Sequence, residues 1–300
     1  MIGDPAGADG RATTLDRTLF DRLPAPGLVI VGIASVQLGA AFATKLFAHL
    51  GPAGTVLVRV AFSAVVLCAI SRPTLRRHTA GELRLAALFG LSLAFMNLSF
   101  YEALDRIHLG IAVTIEFVGP LAVALAGSRS RLDVIWALFA AAGVALLGGF
   151  GASDPLGIAL ALTAGGFWAA YILLNARVGQ AFSGSSGLAI AMAIAVVPLI
   201  PFGVVDGRGR LLDPEYLAVG FAVAMLSSVV PYSLEIEALR RIRPAVFGVL
   251  MSIEPAMAAL AGLVVIGQGL SPVDLVAIAL VVTASAGATL HARGPAPVDA

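Results

Sequence analysis

Residues 110–125 read GIAVTIEFVGPLAVAL, and residues 245–260 read AVFGVLMSIEPAMAAL. Each run is apolar enough to lie deep in a bilayer, and each holds one carboxylate, Glu116 or Glu254, with one proline, Pro120 or Pro255, close by. An acid at that depth is costly, so it normally faces a protein interior or a water-filled path and marks function. A proline inside a helix frees the carbonyl one turn back, and for Pro120 that carbonyl belongs to Glu116 itself. The two stretches are therefore expected to wall a single polar cavity, with the rest of the chain as its frame.

Outside these stretches the chain is equally apolar. Its 300 residues are 59% hydrophobic and 12% charged, with mean hydropathy +0.97, against about 25% charged in soluble domains. A span takes about 20 apolar residues, and ten such runs lie between charged or turn-rich breaks: 24–47, 52–70, 83–101, 109–126, 132–150, 156–174, 188–205, 217–238, 245–266 and 273–290. Gly-Pro, Ser-Pro and Asp-Pro pairs and a Ser/Gly cluster at 183–187 punctuate them. The expected fold is all-α, a polytopic membrane protein with the bilayer as its surroundings.

Several function classes drop out. A net charge of +1, with no basic run interleaved with aromatics, argues against a nucleic-acid partner. The single cysteine, Cys68, leaves no intrachain disulfide or thiolate metal centre. The four histidines fall in loops or at helix ends, so neither a metal nor a cofactor is expected. No GxxxxGK[ST] occurs, which excludes ATP-driven transport by this chain alone. No Ser, His and acid set can meet at one membrane face, so the chain is not expected to be an enzyme.

Orientation follows from the cations. With the N-terminus inside, only Arg106, Arg208 and Arg210 fall outside and only Lys45 and Arg59 within spans; the other fourteen of the 19 Lys and Arg residues are cytosolic. The first 22 residues lack the apolar core of a signal peptide and read as a cytosolic tail. Ten spans return the C-terminal tail, 292–300, to the same side.

The halves repeat. Aligning Pro120 with Pro255 sets PLAVAL on PAMAAL and, after a short insertion, brings LDVIWALFAAAG beside VDLVAIALVVTASAG. Five-span units at 23–150 and 151–291 would enter the membrane in opposite senses, the inverted repeat of alternating-access carriers with a site near the midplane; chance similarity among Ala, Leu and Val is the other reading. In the fifth span Ala137, Ala141, Ala145 and Gly149 recur every four residues as a close-packing face. The fifth and tenth spans are expected to serve as scaffold or as a homodimer contact.

The runs ASVQLGAAFATKLF (34–47), VRVAF (58–62), MNLSFYEAL (96–104), LGIAVTIEFVGPLAVAL (109–125), GGFWAAYIL (165–173), VVPYSLEIEAL (229–239) and GVLMSIEPAMAAL (248–260) resemble, in order and spacing, the threonine/homoserine exporter group of EamA-type drug/metabolite transporters. The resemblance implies a ten-helix carrier of the bacterial inner membrane that exports small amino acids against protons. One departure is visible: family members usually carry Gly-Glu after the ninth span, where this chain has Gly267 and Gln268, so any role of that loop acid in gating or structure should be absent. A broader drug or metabolite exporter, a channel and a structural membrane protein are the alternatives.

Exporting a zwitterion needs a group for the carboxylate, one for the ammonium and one whose charge changes between the two faces. Arg59 suits the carboxylate because its planar fork binds two oxygens; its bland alternative is an ion pair with Glu102 or Glu116. Lys45 is either a second anchor or a side chain snorkelling to the interface. Glu116 and Glu254 are the candidates for the ammonium and the proton, with Glu254 favoured for the proton because its helix carries no basic neighbour within several turns. Trp168 and Tyr171, three apart on one helix face, offer aromatic surfaces to the ammonium or are simply packed. Asn97 serves substrate or helix pairing. Glu235 and Glu237, just before Arg240 and Arg241, read as surface pairs. Pro120, Pro231 and Pro255 are hinge candidates; Pro198 and Pro201, like Pro231, are expected to kink their helices, as hinges or as static bends.

Overall fold

The structure, a computed structural model, describes residues 24–74, 78–126, 132–149, 154–182, 185–207 and 209–291. The expected tails, 1–22 and 292–300, lie outside the described residues. Every regular element among the described residues is helical. The spans appear as α1 (Ala25–Thr44), α2 (Phe47–Ser71), α3 (Ala80–Leu104), α4 (Leu109–Ala126), α5 (Leu132–Gly149), α6 (Pro155–Ala181), α7 (Ser186–Asp206), α8 (Pro214–Leu239), α9 (244–266) and α10 (Pro272–His291). Nine of these are long and apolar enough to cross a bilayer, while in α5 the apolar stretch is the shorter Leu132–Leu147. The chain is a polytopic all-α membrane protein.

Local chemistry sets where the helices begin. Thr79 and Glu82 form a capping box at the start of α3. Asp154 caps α6 by accepting from the Leu156 N–H, and its second oxygen lies 3.1 Å from Arg106; the Leu156 N–H and Arg106 hold its carboxyl below the ordinary carboxylate range. Proline stands in the first turn of α1, α6, α8 and α9, where its missing N–H costs nothing.

Four helices are interrupted, and the interruptions shape the interior. In α2 Gly51 takes φ +64, a left-handed conformation that glycine adopts without strain, and the Ala53 N–H freed there is capped by Asp206 of α7 at 2.9 Å. The α4 break falls at Phe117, between Leu109–Glu116 and Val118–Ala126. In α9 Pro244–Met251 gives way to Glu254–Ala261 across Ser252 and Ile253. The first halves of α4 and α9 are both eight residues long and begin 135 positions apart, the same offset that separates Pro120 from Pro255. In α8 a π-helical turn, Met225–Val229, precedes Pro231; proline cannot donate and pushes the turn wide.

Two expectations about contacts are corrected. α5 packs on α10, but Ala137, Ala141 and Ala145 face outward; Gly149 has no described side-chain environment. The contact is made one residue round the helix, by Trp136, Ala140 and Gly143, because the bulky Trp136 side chain needs the space beside Gly287. The loop after α9 also keeps a structural role: Gln268 accepts the Leu109 N–H at 2.9 Å. An amide oxygen satisfies an orphan N–H at a helix start as an acid would, so Gln268 ties the start of α4 to the second half of the chain.

α4 lies backbone to backbone against α6. An added Cβ at Gly119 would sit 1.9 Å from the Gly165 carbonyl oxygen, and one at Gly165 would sit 2.6 Å from the Glu116 carbonyl oxygen. Gly119→Ala should therefore push the two helices apart, at a cost of about 1–3 kcal/mol. Detergent-purified Gly119→Ala should melt several degrees lower than Gly166→Ala, whose Cβ meets nothing within 4 Å; equal melting would show that the contact is soft.

Candidate functional site

The interrupted helices surround a cavity of about 390 Å³, within the size range of small-molecule sites. Its wall includes Gln37 and Ala40 of α1, Arg59 of α2, Asn97 and Tyr101 of α3, Glu116 and Pro120 of α4, Trp168, Tyr171 and Asn175 of α6, Ser227, Pro231, Tyr232 and Glu235 of α8, and Glu254 of α9. Of the residues singled out in the sequence, Arg59, Asn97, Glu116, Trp168, Tyr171, Glu254, Pro120 and Pro231 thus meet at one chamber. Pro255 is buried beside it but does not line it. Lys45 lies elsewhere: it is exposed just beyond the end of α1, with its ammonium 5.2 Å from the Phe42 ring.

Arg59 is buried and held from two sides. A terminal guanidinium nitrogen donates to the Asn97 side-chain oxygen, and the group stands 5.1 Å over the Tyr101 ring. Asn97 is fixed in turn by donating to the Leu93 carbonyl at 2.7 Å. No ion pair joins Arg59 to Glu102, Glu116 or Glu254 among the described residues, and its Nε has no partner. A planar donor edge thereby remains open, the geometry that binds a carboxylate.

Glu254 is also buried, and one oxygen accepts from Gln37 Nε2 at 3.0 Å. The other oxygen, Oε2, and Gln37 Oε1 have no partner. Neither atom can donate while the acid is ionised, and a proton on Glu254 would add a donor to the pair. Glu116 opens onto the same cavity from the last turn before the α4 break. Trp168 packs edge-on against Phe117 at 5.3 Å, and Tyr171 stacks face to face with Phe89 at 5.1 Å. Among the described residues no group of three His, Cys, Asp or Glu could hold a metal ion.

The surface-pair reading is corrected for Glu235, and several other lining groups had not been singled out. Glu235 points into the cavity while Glu237 pairs with Arg241 at 2.6 Å; two residues apart on a helix, they face nearly opposite directions. Counting from Pro231, four residues earlier, would have put Glu235 on the cavity face. Gln37, Tyr101 and Ser227 are polar groups within spans, and the rule that selected Asn97 would have selected them too. One end of the lining is Leu239, 43% exposed at the end of α8. At the other end its wall stops at Tyr101, buried against Phe47.

Comparison with known proteins agrees with this architecture. Residues 155–290 match the EamA-like transporter family. The chain is 41% identical over 271 residues to the Threonine/homoserine exporter RhtA of Escherichia coli (strain K12) and, equally, to that of Salmonella typhimurium (strain LT2), covering 89% of this chain and 91% of each relative. A protein of known crystal structure, 18% identical, shares the fold with a TM-score of 0.60 over 89% of this chain and 99% of its own. Identity of that extent along nearly the whole length, with the repeat-like helix breaks in place, means that the chain belongs to the EamA-like transporter family, in the group of threonine/homoserine exporters.

Proposed function

We propose that the chain exports small zwitterionic amino acids across the bacterial inner membrane by alternating access, driven by proton antiport. The observation that carries the reading is a set of three buried polar atoms on residues around one cavity that complete no hydrogen bond: Arg59 Nε, Gln37 Oε1 and Glu254 Oε2. Each orphan costs roughly 1–3 kcal/mol while unfilled, a cost that a polar ligand removes. Arg59 binds the substrate carboxylate and Glu116, beside Trp168 and Tyr171, the ammonium. Glu254, paired with Gln37, takes up the proton. The halves act as inverted repeats, and Pro120 and Pro231 are the hinges that let them rock.

The cation bias sets both termini in the cytosol, which makes the Leu239 end of the cavity cytosolic. A side chain at Gly51 would strike Asp206, so reporter cysteines belong elsewhere. In a Cys68→Ala background, cysteines at Arg210 and Asp154 should react with an impermeant maleimide in whole cells and cysteines at Arg177 and Arg241 should not; the reverse pattern would overturn the orientation. Counterflow of radiolabelled threonine in proteoliposomes tests the function itself. Saturable flux accelerated by substrate on the far side is the expected result, and non-saturating flux would point to a channel.

A further inference from the structure

We propose that Glu235, with Tyr171 and Tyr232 beside it, is an entry station that captures the ammonium group of the amino acid at the cytosolic end of the cavity, ahead of Glu116. This rests on the amino-acid reading above and deepens it. Among the described residues the cavity wall carries three carboxylates, Glu116, Glu235 and Glu254, against one cation, Arg59. Once Arg59 and Glu116 hold the two ends of a zwitterion and Glu254 the proton, Glu235 is the carboxylate left over.

Among the described residues nothing neutralises that carboxylate. Glu235 is half-buried and takes part in no ion pair or hydrogen bond, while Arg240 and Arg241 are both spent on Glu237, round the helix from it. A carboxylate withdrawn from water without a partner is costly, and a cation removes the cost. The surroundings select an organic ammonium: Tyr232 precedes Glu235 by three residues on the same helix face, Tyr171 comes from α6, and both lie within reach of the Glu235 charge. Aromatic rings attract an ammonium, and a carboxylate accepts its N–H groups in charge-assisted bonds. The two tyrosine hydroxyls pair with each other, which holds the rings in place beside the acid.

Position makes this the first acid on the way in. Glu235 lies one turn from the exposed Leu239 on α8, and on α6 the exposed Asn175 lies one turn from Tyr171; all four line the cavity. Going deeper, the charge of Glu235 acts on Glu254, and Tyr232 lies within electrostatic reach of both Glu235 and Arg59. Asn175, Tyr171 and Trp168 therefore mark a track along α6 from the exposed end to the aromatic pair assigned above to the ammonium. An amino acid that enters at that end passes Glu235 before it meets Glu116. The opposite end of the wall, at Tyr101 and Phe47, carries no part of this station, so its effect belongs to one face of the membrane.

The test is the KM for threonine exchange measured separately from the cytosolic face, in inside-out membrane vesicles, and from the outer face, in right-side-out vesicles, each holding the full chain. Glu235→Gln keeps the shape and removes the charge, so it should raise the cytosolic KM about tenfold and the outer KM by less than about twofold. Glu235→Asp keeps the charge and should hold the cytosolic KM within about threefold of the wild type. Threonine methyl ester retains the ammonium and lacks the anionic carboxylate; as a competitor at the cytosolic face it should lose about tenfold in potency against Glu235→Gln. An unchanged cytosolic KM, an equal rise or a loss of transport at both faces, or an Asp variant as impaired as the Gln variant overturns the station. So does a Glu235→Gln that keeps its KM but loses its response to a proton gradient, which would make Glu235 a proton site. Each of these leaves the amino-acid reading standing so long as the wild type shows saturable threonine exchange; a wild type with none overturns that reading as well.

Discussion

Arg59→Lys is expected to raise the KM for amino-acid counterflow by one to two orders of magnitude while leaving the protein monodisperse in detergent. Lysine preserves the charge but is a point donor on a flexible stem, whereas the guanidinium presents a planar edge. In this site the fork is divided: one terminal nitrogen is held by Asn97 and the buried Nε has no partner. Losing a charge-assisted, two-point contact costs about 1–3 kcal/mol, and each 1.4 kcal/mol is a factor of ten. Tyr101 would also lose the flat cation stacked on its ring. An amino-acid methyl ester, which offers no anionic carboxylate, should be handled similarly by the wild type and the variant. Normal KM in Arg59→Lys would remove Arg59 from the carboxylate site and leave it as a packing group between α2 and α3.

The second large effect separates the two central acids. Glu254→Gln should retain threonine exchange, lose all acceleration by an imposed proton gradient and show exchange that no longer varies with pH. The reason lies in the pair with Gln37. A glutamine amide at position 254 supplies permanently the donor that protonation would supply transiently, so Gln37 Oε1 is satisfied and the site behaves as if always protonated. Glu116→Gln should impair exchange and gradient-driven efflux together, because its carboxylate faces the substrate space and its charge balances the ammonium. A gradient response preserved in Glu254→Gln would sink the assignment, and a normal Glu116→Gln would move the ammonium to Glu235, the remaining cavity carboxylate.

Much of this protein is legible in one dimension because a bilayer imposes a blunt requirement. Backbone polar groups in hydrocarbon must be satisfied within the segment, so apolar runs of span length become helices wherever tertiary contacts place them. That is why the α4 boundaries, Leu109–Ala126, coincide with the run marked out by its flanking loops. The cost of a buried polar group likewise singles out Arg59, Asn97, Glu116 and Glu254 as residues that need partners, and they do share a chamber. Their partners are another matter. Whether Arg59 pairs with an acid or with Asn97, and whether Glu254 stands alone or with Gln37, depends on contacts across 38 and 217 positions of chain. Periodicity within a single helix carries no record of those separations. Lys45 shows the same limit at the surface: one turn of shift at the end of α1 moves it from a span into the open. The α8 interruption also belongs to tertiary structure. Pro231 announces a disturbed helix, but the π-helical turn before it is held against α1 by Ser35 and by close approach at Gly39. Hydropathy and proline placement determined the spans and the depth of the charges. The packing of one half against the other decided which unsatisfied atoms face one another, because only there do distant residues come within hydrogen-bonding distance.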